Sequence, residues 1–133
     1  MRRSLLLLSL LTGTGSALAA TPAEFQTSFA TEAKQEAAGF SGFSAERGKA
    51  FFNSVQAKDW SCASCHTETP GARGQHATTG KPIEPLAPTA NPERFTRADK
   101  VEKWFKRNCN DVLGRACTAR EKGDVLTYLL TVR

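Results

Sequence analysis

Methionine is all but missing: the single one is Met1, so a chain trimmed at its amino terminus has no thioether to offer a metal. No segment alternates apolar and polar residues with period two, which excludes a half-buried sheet. No strand–helix alternation surrounds Cys62 and Cys65, which excludes the setting of a thioredoxin-type redox pair. No second Cys-x-x-Cys and no His-x-x-x-His accompanies them, which excludes the usual four-ligand zinc site. The longest apolar run, Leu5 to Leu11, falls well short of the about 20 residues that cross a bilayer. No basic cluster is interleaved with aromatics, which argues against a nucleic-acid surface.

What is present begins with a leader. Arg2 and Arg3 form a positive start, Leu5 to Leu11 an apolar centre, and Ala17-Leu18-Ala19 a small-x-small cleavage site, the pattern of a secretory signal peptide. The expected boundaries are a signal peptide over 1–19, with Ala20 the neighbouring alternative, and one domain over 20–133. A retained anchor is the competing reading. Cleavage after Ala19 takes 19 residues from 133 and leaves 114, enough for one small domain. It also removes two of 18 basic residues against 13 acids, so the net charge falls from +5 to +3. A secreted chain with four cysteines belongs in an oxidising space such as the periplasm.

The chain is organised around Cys62-Ala63-Ser64-Cys65-His66, the attachment pattern of a c-type haem. Each thiol can add to a vinyl group of the macrocycle and form a thioether. The two-residue spacer keeps both sulfurs within one turn of backbone, and His66 follows at once as the proximal ligand. One covalent haem c is therefore expected, held by Cys62, Cys65 and His66. Two haem propionates would offset most of the remaining positive charge.

Four segments read as helices. The first, over 22–38, has Thr21 as N-cap, Pro22 at the first position and Glu24 in a capping box. Its apolar stripe, Phe25, Phe29 and Ala33, is narrow, and Gly39 ends it. The second, over 45–56, is capped by Ser44 and carries Gly48, Phe51, Phe52 and Val55 on one face. An interior glycine costs about 1 kcal/mol relative to alanine, so Gly48 suggests close approach of another helix, against the plainer reading of a tolerated glycine. The third, over 97–108, has Thr96 and Asp99 as a capping box and Val101, Trp104, Phe105 and Asn108 on one face. The fourth, over 119–131, is capped by Thr118 and Glu121 and presents Val125, Leu126, Leu129 and Leu130.

Between the second and third helices, residues 67–95 hold five of the six prolines together with Gly71, Gly74 and Gly80. So long an irregular segment is unusual in a compact domain. A large flat cofactor accounts for it, with Ile83 and Leu86 as candidate contacts. On one straight helix, Cys109 and Cys117 would be about 12 Å apart, whereas a disulfide needs roughly 4.4–6.8 Å between Cα atoms. The chain must turn for them to pair, and Gly114 is the natural place. Two reduced thiols are the alternative.

The sixth iron ligand separates the functional classes. Electron-transfer cytochromes c commonly use methionine, and Met1 leaves with the leader. His76, a lysine that would have to lose its proton, and Asn108 remain open. Asn108 also reads as a helix C-cap, because Asn tolerates the left-handed conformation. His76 also reads as an exposed loop residue. A His66/His76 pair would make a plain electron carrier with no ligand-binding role. An enzyme turning over oxygen or nitric oxide is a third class, although no general acid or base is placed by spacing.

Gly48…Phe52 and Asp124-Val125-Leu126-Thr127-Tyr128-Leu129 resemble the crossing terminal helices of class I cytochromes c. Lys103-Trp104-Phe105-Lys106-Arg107-Asn108-Cys109-Asn110 with Leu113-Gly114-Arg115-Ala116-Cys117-Thr118 is similar to the sphaeroides haem protein family. The resemblance covers most of the mature chain and is strongest from residue 100 onward. It implies an all-α class I cytochrome c fold with a single haem, an extra N-terminal helix and the long Pro/Gly-rich loop. It implies Asn108 as the sixth ligand and a Cys109–Cys117 disulfide. It further implies binding of oxygen and nitric oxide by the reduced protein, with electrons from a diheme cytochrome c. Nucleic acid and stable membrane insertion after leader cleavage are not expected.

Overall fold

The computed structural model describes residues 19–133; the leader assigned to 1–19 therefore lies, except for Ala19, outside the described residues. Those residues form five helices and one short ladder. In chain order these are α1 (Pro22–Glu36), α2 (Ala45–Asn53), α3 (Ala63–His66), β1 (Gly74–Gln75), β2 (Pro82–Ile83), α4 (Ala98–Leu113) and α5 (Ala119–Thr131). None of these helices is long and apolar enough to cross a membrane.

The core is built around α5, which packs on α1 along one side and α2 along another. Thr118 accepts from the Glu121 N–H while the Glu121 carboxylate accepts from the Thr118 N–H, so two of the orphan donors at the start of α5 are satisfied. A second acid adds to this end. The Glu36 carboxylate, at the last turn of α1, accepts from the Ala119 N–H at 2.9 Å, where the helix dipole favours negative charge. Phe25, Phe29 and Ala33 are all buried, so the narrow stripe of α1 suffices to dock it. Gln26 adds a hydrogen bond to Thr127 at 3.1 Å.

The α2–α5 crossing is close because Gly48 has no side chain. A Cβ there would meet the Asp124 carbonyl oxygen at 1.9 Å. Beside it, Phe52 and Tyr128 meet edge to face at 5.6 Å. Asp124, only 5 % exposed, accepts from the Ser44 N–H at 2.6 Å and from two Arg47 nitrogens at 2.8 and 2.9 Å. This raises the Arg47 pKa through that hydrogen bond, against a smaller effect of burial. Lys122 ties three helices: its ammonium meets Glu32 of α1 and Glu102 of α4 and lies 4.7 Å from the Phe29 ring centre.

Four differences from the sequence reading have local causes. Helix α2 stops at Asn53 instead of 56, because the Ser54 N–H and hydroxyl both donate to the Ala50 carbonyl and the backbone turns extended; Val55 is left 67 % exposed. Helix α1 ends at Glu36, where Ala37 is already extended, rather than at 38. Helix α4 continues past Asn108 to Leu113, since Gly114 is the first residue to take the left-handed conformation, φ 72°. Its N-cap is Arg97, with no side-chain cap; the Thr96 hydroxyl donates instead to the Glu93 carbonyl, and Asp99 pairs with Arg97.

The 67–95 segment contains the ladder that the sequence did not announce: Gly74 pairs with Ile83 and Gln75 with Pro82, antiparallel. Two residues per strand are too few for an alternation to register. The rest of the segment is tied down at the buried Pro70, whose carbonyl accepts from the Leu86 and Ala87 N–H groups at 2.8 and 3.0 Å. Leu86 packs against the aromatic core.

Candidate haem site

Helix α3 carries Cys65 and His66, with Cys62 as its N-cap. Ser61 and Ser64 exchange hydrogen bonds around its start, N–H to hydroxyl at 2.9 and 3.1 Å in the two directions, and the His66 N–H closes the turn on the Cys62 carbonyl. Immediately after His66, Thr67 sits at φ 62°, an unusual conformation for a β-branched residue. Its hydroxyl holds the reversal by donating to the Thr69 carbonyl and accepting from the Thr69 N–H.

Neither cysteine is taken up in a disulfide. Burial pushes the Cys62 thiol up to about 11, the opposite of the low thiol pKa that serves a Cys-x-x-Cys redox pair. Burial, helped by the charge of Arg94, lowers His66 to about 4, so its imidazole is neutral at neutral pH, the form that ligates a metal. The ring sits 6.4 Å from that of Phe52. The β1–β2 hairpin lies directly on α3. A Cβ on Gly74 would fall 2.1 Å from the Cys65 carbonyl oxygen, and the Ala77 N–H donates to the Cys65 sulfur at 3.4 Å.

His76 lies in this hairpin, half-buried. Its Nδ1 accepts from the Thr78 and Thr79 N–H groups at 3.2 and 3.4 Å. Asn108 lies within α4, also half-buried, and not at the helix end. Asn53 and Asn91 commit their amides to backbone carbonyls; among the described residues Asn108 commits its carboxamide to none. The next residue, Cys109, is bonded to Cys117 with 5.5 Å between Cα atoms, across the turn at Gly114.

Helix α4 is amphipathic, yet only Val101 and Cys109 on it are buried. Phe105 reaches the core edge to face with Phe29 at 5.7 Å, while Trp104 remains 44 % exposed. An apolar helix face left uncovered by protein is a suitable wall for a large flat apolar group.

Residues 38–129 match the family described as Domain of unknown function (DUF1924). The chain is 43% identical to the cytochrome c-type protein SHP of Cereibacter sphaeroides, over 97% of this chain and 98% of that protein. The chain belongs to the SHP family of c-type cytochromes. It is also 49% identical to cytochrome c'' of Methylophilus methylotrophus over 63% of this chain; that match spans 61% of the relative's length. Among solved structures, oxidised SHP, an oxygen-binding cytochrome c, is similar with a TM-score of 0.74 and 42% identity over 84% of this chain and 96% of that one. The solution structure of M. methylotrophus cytochrome c'', concerned with haem-ligand detachment, gives 0.73 at 39% identity over 83% and 92%.

An SHP-family chain with this all-α class I fold carries one covalently bound haem c. The residues fit that group. Two unpaired thiols stand on one short helix beside a neutral imidazole, and α4 offers an uncovered apolar face. Sequence reasoning reached the contiguous motif but not Arg94, Pro70 or Gly74, whose relation to α3 arises only from the folding of the loop.

Proposed function

We propose that this chain is a periplasmic monohaem cytochrome in which Cys62 and Cys65 hold the haem by thioethers, His66 is the proximal ligand and Asn108 the sixth ligand of the oxidised protein. The haem supplies the one-electron couple and the position at which a diatomic gas can bind. A carboxamide oxygen is a hard neutral donor and favours ferric over ferrous iron. Asn108 therefore leaves on reduction and frees that position for oxygen, nitric oxide or carbon monoxide. The electron comes from another cytochrome, of the diheme c type in the family pattern. Oxygen binding in SHP and ligand detachment in cytochrome c'' support this reading.

The observation that carries it is the uncommitted, half-buried carboxamide of Asn108 on the uncovered face of α4, one residue before the disulfide that anchors that helix end. His76 is less suited. Its Nδ1 is engaged, and its hairpin is stitched to Cys65 through the Ala77 N–H.

The test is a pair of spectra. Carbon monoxide added to reduced protein is expected to shift the Soret band rapidly, and Asn108→Val to abolish the low-spin-type oxidised spectrum while retaining covalent haem. An oxidised spectrum unchanged in Asn108→Val, together with no carbon monoxide response, overturns the reading in favour of a bis-histidine carrier.

A further inference from the structure

Arg94 is a cation with no counter-ion of its own. It is half-buried in the loop that follows α3. Its Nε–H donates to the Pro85 carbonyl at 2.9 Å and an Nη2–H to the Glu84 carbonyl at 2.7 Å, leaving three of the five guanidinium N–H groups uncommitted. Among the described residues no carboxylate lies within ion-pair distance of it. The nearest acid to act on it, Glu84, is exposed and already bound by both ends of the Arg73 fork. Burial accordingly lowers the Arg94 pKa, with only partial relief from Glu84.

The position matters as much as the charge. The 84–86 segment that Arg94 grips is fastened on its other side to Pro70, through the Leu86 N–H, and Pro70 follows His66 by only four residues. A half-buried guanidinium in a loop braced on Pro70, just beyond the haem-attachment motif, is short of an anion, and a desolvated cation is unfavourable until one is supplied. The haem of this family brings two carboxylates on flexible arms.

We propose that Arg94 is the positioning residue for a haem propionate, which its free N–H groups receive as a bidentate charge-assisted pair. The pairing does two things. It orients the macrocycle about the thioether edge, and it offsets the negative charge of that propionate, which favours acceptance of an electron. The inference rests on haem attachment at Cys62 and Cys65 and is independent of which residue is the sixth ligand.

The experiment compares haem-loaded wild type, Arg94→Gln and Arg94→Lys. Covalent loading is verified first by the pyridine haemochrome spectrum. Arg94→Gln is expected to shift a propionate bending band in the resonance Raman spectrum and to lower the reduction potential. Arg94→Lys, which keeps the charge but not the fork, is expected to shift the band while holding the potential near that of wild type. Propionate bands and potential both unchanged in Arg94→Gln would overturn the proposal, even with a lower melting temperature, because Arg94 would then only staple the 84–85 carbonyls. Should Arg94→Gln yield no loaded protein, Arg94→Lys decides alone: a displaced band supports the pairing, an undisplaced one overturns it.

Discussion

The two halves of this molecule are held together by different means. Helices α1, α2 and α5 interlock through buried side chains: Phe29, Phe52, Leu126 and Leu129 are almost wholly removed from water, and Gly48 lets two backbones touch. The half made of α3, the 67–95 loop and α4 meets that core along one aromatic seam, Phe95 against Phe25 and Phe105 against Phe29. Beyond that seam it is fastened by backbone hydrogen bonds at Pro70, by the hairpin resting on Cys65, by one disulfide and by the Lys122 contact to Glu102. The first half is a protein core in the ordinary sense. The second is a holder with apolar side chains, Trp104 on α4 among them, that the polypeptide leaves exposed.

That contrast can be broken deliberately. The largest effect is expected in the interlocked half: Phe29→Ala should lower unfolding free energy by about 3–5 kcal/mol, measured by denaturant titration, with a similar loss whether or not haem is attached. A loss confined to the haem-loaded form would mean that the two halves are one cooperative core. In the holder, replacing Cys109 and Cys117 together by serine should cost about 2–3 kcal/mol on the loop-entropy account. Amide exchange should increase first in the last turns of α4 and leave α1 unaffected; uniform acceleration across α1 and α5 would contradict the division.

The smallest expected effect sharpens the comparison at the seam. Burial works against the Glu121 carboxylate, but hydrogen bonds from Arg115 and from the Thr118 backbone outweigh it and hold its pKa below the ordinary 4.5. A depressed carboxylate contributes stability that is fully present above its unfolded pKa and is lost as pH falls through its folded one. The difference in melting temperature between wild type and Glu121→Gln should therefore be greatest near neutrality and shrink below pH 4.5. A difference that is flat from pH 7 to 3 would show that the capping geometry, not the charge, carries the contribution.

What could be read along the chain divides the same way. Helix α5 was legible to the residue, since Thr118, Glu121 and the 3.6-residue spacing of Val125, Leu126 and Leu129 are local signals. The close approach at Gly48 was legible too, because a glycine inside an apolar face has few other reasons to be there. Asp124 and Arg47 were not: they are 77 residues apart, and nothing near either announces the other. The end of α4 was misjudged because Asn108 suits a cap as well as a helix interior, and Gly114 decided between them. At the haem site the contiguous Cys62–His66 motif was visible at once. The loop that braces it was not, since Pro70, Gly74 and Arg94 act through contacts that exist only after the chain has folded back.

One boundary follows from Glu36. The match to the family described as DUF1924 begins at residue 38, just past the end of α1. A gene fragment trimmed to that match would discard the acid that stoppers the positive end of α5, along with the three side chains that roof it. The bounds of that match are therefore narrower than the folded unit, which the likeness to SHP follows along 97% of this chain, and the preceding helix has to be carried along whenever the domain is transplanted.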